Sequence, residues 1–309
     1  MINFRYHVVS LTAVFLALAI GLVVGTAALN GPVADSLKDQ VTALNKDNSN
    51  KRDQVNQYRE ELNQTQEFAS EVAPALLNGK LAGRKLLLVA LPGSQDYVDL
   101  VRSMLTVAGA TVTAKVTVQD RFFDPNSNTE LLDLAGAGSQ RTIPVSGLPF
   151  NGNGVETSSA LLALALEQHT PEVAASDLTA VLTAYTKQGY IAVDKDPVGG
   201  AEAAVIVAGP PPVDKDGAKK AESAVMLATQ FSKGRLLVVA GSGVGDGNLV
   251  SAVRGDPLLV KSISTVDNAS TIQGQLATAL AVVERVVAAK VGQYGISAGS
   301  TSKVPKAAS

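Results

Sequence analysis

Asp246, Arg254, Asp256 and Asp267 are the residues whose types and spacing come nearest to a reactive or binding cluster in this sequence. Carboxylates beside a guanidinium form either a structural ion-pair network or a site for general acid–base work, and the structural reading is the stronger here. They follow a glycine-rich stretch, Gly241-Ser242-Gly243-Val244-Gly245-Asp246-Gly247-Asn248. Backbone N–H groups of such loops can cradle anions. The spacing matches no nucleotide fingerprint, however. Counted from Gly241, the third glycine position holds Asp246; counted from Gly243, it holds Asn248. A second loop, Leu91-Pro92-Gly93-Ser94, lacks the Lys and Ser/Thr that end a P-loop. The loop at 241–248 therefore reads first as a chain reversal, with a small-ligand or anion site as the alternative.

The other reactive side chains are sparse. His7 and His169 are the two histidines, Met1, Met104 and Met226 the three methionines, and there is no cysteine. Metal ligation needs convergent imidazole, thiolate or carboxylate donors, and none is evident in the sequence. We expect no catalytic residues, no resident cofactor and no enzyme activity. A net charge of −2 makes no electrostatic case for nucleic acid. With aromatics at 4% and no run of alternating strands, an outer-membrane β-barrel is not expected.

The elements that would position these residues are an N-terminal rod and an α/β domain. Val8–Leu29 is an uncharged apolar run, close to the ~20 residues a membrane-spanning helix needs. It is longer than a signal-peptide core, which favours a retained anchor over a cleaved signal. Arg5 and the free amine in the 1–7 head, against Lys38 beyond the run, favour a cytoplasmic N-terminus. Ala17, Gly21 and Gly25 form a small-residue stripe suited to close helix approach in lipid. After a break at Asn30-Gly31-Pro32, the stretch 33–73 carries a heptad repeat. Leu37, Val41, Leu44, Asn48, Lys51, Val55, Tyr58, Leu62, Thr65, Ala69 and Val72 fall alternately four and three apart. In a parallel dimer Asp47 at g would face Arg52 at the following e, and Asn48 at a would favour a two-stranded register. An amphipathic helix folded on its own domain or on a partner is the other reading. Pro74 and Gly79 are expected to close the rod.

From about residue 80 to 294, apolar strands alternate with amphipathic helices. The fold class is α/β: a transmembrane helix and coiled-coil stalk, then a Rossmann-like, mostly parallel sheet. Strands are expected at Lys85–Leu91, Thr111–Val118, Tyr190–Val193, Ala203–Ala208, Arg235–Ala240 and Leu258–Ser264. Helices are expected at Gln95–Ala108 with Ser94 as cap, Asn126–Ala135, Ser158–Gln168, Ser176–Lys187, Ala218–Phe231 and Thr271–Ala289. Gly136–Gly154 reads as a long loop, and 295–309 as a disordered tail.

The start Ile2-Asn3-Phe4-Arg5-Tyr6-His7, the run Leu16–Gly25, and Gly241-Ser242-Gly243, Ser264-Thr265-Val266-Asp267-Asn268 and Gly292-Gln293-Tyr294-Gly295 resemble an actinobacterial envelope family. It is the MctB copper-transporter family, whose members include SteB. The resemblance spans nearly the whole chain. It implies one of two roles. One is copper transport or homeostasis, as a channel or efflux component with copper as cargo. The other is a plasma-membrane-anchored periplasmic scaffold, pairing with itself or with a SteA-type membrane protein. That scaffold would act in cell separation by controlling a peptidoglycan hydrolase. It implies no catalytic residues. A single anchor with a soluble domain makes a poor pore, so the scaffold is the role we expect.

Overall fold

A computed structural model describes residues 4–29, 31–138, 142–149, 151–194, 196–233 and 236–306. The chain falls into two units, Met1–Thr65 and Gln66–Ser309. Met1–Asn3 of the head, Asn30 of the break, Arg235 of a strand and the last three residues of the tail lie outside the described residues.

In the first unit, helix α1 spans Phe4–Leu29, beginning four residues before the apolar run. Its Phe4–Ala27 stretch is long and apolar enough to cross a membrane. Thr12 and Thr26 satisfy their hydroxyls on the carbonyls one turn back, so neither offers an unpaired polar group to lipid. Side chains built at Gly21 or Gly25 would meet nothing within 4 Å, so the chain's own packing does not require glycine there. Helix α2 starts at Pro32, where a missing N–H costs nothing, and runs to Leu77. Pro74 lies inside this helix and does not end it, in contrast to the expectation.

The second unit begins within α2. Ala69, Ala73 and Leu77 are four residues apart, on one face, and buried, the last two against the sheet domain. Ala69 was expected in a coiled-coil seam. It is buried within the single chain, and Val72 is half-buried.

The sheet has seven strands in the order β3-β2-β1-β4-β5-β6-β7. These are β1 (Lys85–Ala90), β2 (Thr111–Val118), β3 (Ile191–Val193), β4 (Ala203–Ala208), β5 (Leu236–Gly241), β6 (Ile263–Val266) and β7 (Gln293–Tyr294). Every pairing is parallel except β2 with β3. Strands buried on both faces read as unbroken apolar runs, and the two-residue pleat divides them. Leu87, Val89, Ala204 and Ile206 feed one core; Leu86, Leu88, Val205 and Val207 feed the other. Against the second core pack α3 (Gln95–Val107), α10 (Ile272–Ala288) and the end of α2. Against the first pack α4 (Asn128–Ala137), α5 (Gly154–Leu166), α6 (Ala175–Lys187), α7 (Gly217–Ser232) and α8 (Leu249–Gly255).

Three local differences from the sequence reading have physical causes. Helix α5 starts four residues early because Asn153 accepts the Glu156 N–H as a cap, and because Gly154 seats against Asn128. A Cβ at Gly154 would lie 2.2 Å from the Asn128 carbonyl oxygen. The expected strand at Leu258–Ser264 is half helix: Asp256 accepts the N–H groups of Leu258 and Leu259 and nucleates α9 (Leu259–Ser262), leaving β6 to Ile263–Val266. The expected disordered tail is hydrogen-bonded over the described part: Gly295 N–H donates to Ser302 and Thr301 N–H to Gln293.

Candidate functional site

In an open parallel sheet, ligands bind beyond the strand carboxyl ends where the order reverses. Here that point lies between β1 and β4. Two loops meet there, Leu91–Ser94 and Gly209–Pro212. Gly93 sits at φ +81°, and a Cβ at Gly209 would lie 2.2 Å from the Pro92 carbonyl oxygen, so the loops are packed backbone to backbone. Ser94 occupies the cap position of α3 but makes no capping bond; its buried hydroxyl donates to Leu91 O at 2.7 Å. The Tyr97 hydroxyl donates to Ala208 O, and burial raises its phenol above the usual range. The seat that a dinucleotide pyrophosphate takes in such folds is therefore filled by protein.

The glycine loop after β5 is similarly self-satisfied. The Gly243 N–H donates to Asp267 O, and the Gly245 N–H to Ser251 Oγ at 2.8 Å. Asn248 caps α8, accepting from Val250 and Ser251. Two amides that could hold an anion are thus engaged, and the loop serves as a chain reversal.

Of the four polar residues singled out, the structure joins two. Arg254 Nη1 contacts Asp267 Oδ2 at 2.8 Å, with the side chains 6% and 0% exposed. The pair is heavily bonded. Arg254 also donates to Thr265 Oγ1, Tyr294 O and Ala298 O. Asp267 accepts from the Ile296 and Ser297 N–H groups. These bonds fasten the C-terminal segment to the sheet edge. Asp246 lies apart on the exposed loop, and Asp256 is spent on the α9 cap.

The cleft that remains at this edge is lined by Phe123, Pro210–Pro212, Ala224 and Leu249, and encloses about 320 Å³. Its polar feature is Lys220, 10% exposed, with Nζ 2.6 Å from both Asp120 and Asp214. Those two carboxylates hold the ammonium above its usual range, and Lys220 in turn lowers Asp214. Sequence reasoning missed this trio. Asp120 and Lys220 lie 100 residues apart, so no local spacing signals their meeting. The one usable sign was the carboxyl-edge rule applied to the Gly209-Pro210-Pro211-Pro212 loop.

The stalk residues are placed differently. Leu37, Val41, Leu44, Val55, Tyr58 and Leu62 are all about half exposed or more. Thr65 returns its hydroxyl to Glu61 O at 2.7 Å and so presents its methyl. Asn48 and Lys51 are exposed among them. Lys51 reaches Asp47 on the same helix at 2.8 Å, which raises its ammonium above the usual range. His7 lies in α1, and His169 follows α5. Among the described residues no three His, Cys, Asp or Glu side chains converge to hold a metal.

A family model described as "Copper transport outer membrane protein, MctB" matches residues 1–305. The chain belongs to the MctB family. It is similar to proteins named "Copper transporter MctB" in Mycobacterium tuberculosis, at 29% identity over 98% of both chains. A protein of the same name in Mycobacterium leprae is also 29% identical, again over 98% of both. The MctB match covers the anchor helix, the stalk helix and the sheet domain together, so the three are one family architecture.

Proposed function

We propose that this MctB-family chain is a non-catalytic scaffold of the cell envelope, anchored by α1, whose stalk helix pairs in parallel with a second copy. The observation that carries this reading is the heptad stripe from Leu37 to Leu62, apolar except at Asn48 and Lys51 and exposed in the single chain. Burying a side chain of this size is worth about 1.5–3 kcal/mol, so the exposed stripe is a strong drive to association. Small residues at Ala17, Gly21 and Gly25 support close approach of the anchors. We place α1 in the plasma membrane with its N-terminus cytoplasmic, because a single apolar helix is the form of a plasma-membrane anchor and not of an outer-membrane barrel. Partnership with a SteA-type membrane protein and control of a peptidoglycan hydrolase in cell separation extend this proposal along the family resemblance. The chain has no cysteine, so single cysteines at Leu44 or Val55 give an unambiguous test. We expect inter-chain disulfides in membranes from both; their absence would exclude self-pairing.

Copper transport is the second reading, favoured by the description of the family and the names of the relatives. Copper would then be cargo. Equilibrium dialysis of the full chain in detergent with Cu(I) and Cu(II) separates the readings. A site tighter than on the order of micromolar would support it.

A further inference from the structure

The cleft bounded by the β1 and β4 loops, Phe123, Lys220 and Leu249 is not used by the stalk reading and stands apart from it. Its walls are apolar and stiff: Phe123, Leu249, Ala224 and the ring faces of Pro210–Pro212. Proline cannot relax by rotamer change, so the cavity is held open by backbone. Its titratable lining is Asp120, Asp214 and Lys220, two carboxylates to one ammonium. Lys220 is neutralised by both acids. Asp214 keeps its other oxygen on the Asp216 N–H at 3.0 Å. Asp120 contributes only Oδ2 to Lys220 and is 65% exposed at the mouth. The cleft therefore has an apolar interior and, among its lining residues, one carboxylate more than ammonium, with Lys215 close enough to act on Asp214. A phosphate or carboxylate ligand would reach Lys220 only past two carboxylates already bound to it, whose charge opposes its own. An ammonium meets Asp120 directly, while its apolar body fills the prolyl-lined space. A volume of about 320 Å³ is at the small end for ligand sites and admits a metabolite-sized molecule.

We propose that this cleft binds a small organic cation with an apolar body, of the arylalkylamine type. The test uses the full chain in nanodiscs at low ionic strength, with three matched probes: phenethylamine, phenethyl alcohol and phenylpropionate. Saturation-transfer NMR and calorimetry report binding. We expect the amine to bind best, the alcohol more weakly and the acid not at all. Asp120→Asn keeps an acceptor for Lys220 and leaves Asp214 as its counter-charge, so the fold should persist with at most a small fall in melting temperature. The substitution should weaken the amine by at least about threefold while leaving the alcohol unchanged. Ala224→Leu should reduce all binding by filling the space. Equal or better binding of the acid overturns the proposal. So does no binding of any probe at millimolar concentration, an amine preference that survives Asp120→Asn, or binding that survives Ala224→Leu.

Discussion

The seam of the stalk and the Arg254–Asp267 pair are opposite solutions to placing awkward groups. In the pair, two buried charges are met by one another, by a threonine hydroxyl, by two carbonyls and by two backbone N–H groups. Four of the five guanidinium N–H groups and both carboxylate oxygens have partners. In the seam, large apolar side chains recur at heptad spacing with nothing over them. Satisfaction marks the first as architecture; its lack leaves the second open to the pairing proposed above. The sequence shows both as patterns of residue type and does not show which is complete.

The sharpest way to break this contrast is to remove one partner of the buried pair. Asp267→Ala leaves the Arg254 guanidinium buried without its counter-charge and should cost about 3–5 kcal/mol of domain stability, read from denaturant unfolding. A loss below about 1 kcal/mol would make the pair dispensable and the contrast empty. Next come two leucines on one helix. Leu77→Ala should destabilise by about 2–5 kcal/mol, since Leu77 is fully buried. Leu44→Ala should leave domain unfolding unchanged yet weaken chain association in sedimentation; the reverse pattern would assign the core and the seam wrongly. Lys51→Leu should sharpen the seam. It removes a charged group from a d position and frees Asp47, so self-association should tighten while register becomes less defined. Cysteine-crosslinking at staggered positions reports both.

The smallest expected effect concerns pH. Asp214 and Asp256 are lowered, by the Lys220 hydrogen bond and by the Leu259 and Leu258 N–H groups respectively. A depressed carboxyl gives stability that is present above its unfolded value, near 3.9, and is lost as pH falls through the folded one. Lys220 is raised, so its contribution is complete below about 10.4 and is lost only as pH rises beyond that. The melting temperature should therefore be flat from roughly pH 5 to 9 and fall in acid. Asp256→Asn can still accept the α9 cap bonds and should shallow the acid fall slightly. A slope through neutrality would implicate other groups.

Much of the fold was legible because buried parallel strands leave unbroken apolar runs. Lys85–Ala90 and Ala203–Ala208 show it, and the intervening helices carry an apolar face. The misreadings came where a single polar side chain or glycine set the local structure. Asp256 turns an apolar run into helix, Asn153 and Gly154 start α5 inside what reads as a loop, and Asp267 orders a tail rich in small polar residues. Pro74 reads as a helix stop, yet its neighbours Ala73 and Leu77 are held by the domain core, whose packing outweighs the missing bond. Of the candidate polar site, the joining of Arg254 with Asp267 was legible from type and proximity. The Lys220 trio was not, because it is assembled by topology.

The two outermost strands have a bearing on how copies of this chain can meet. β3 has three residues and β7 two, and β7 is bridged on its outer side by Ser302. A sheet ending in such stubs offers few free N–H and C=O groups in a row, which is how natural sheets resist edge-to-edge addition. Strand addition, the commonest improvised route from one sheet domain to another, has little to grip here. The pairing proposed for the stalk helix asks nothing of these edges.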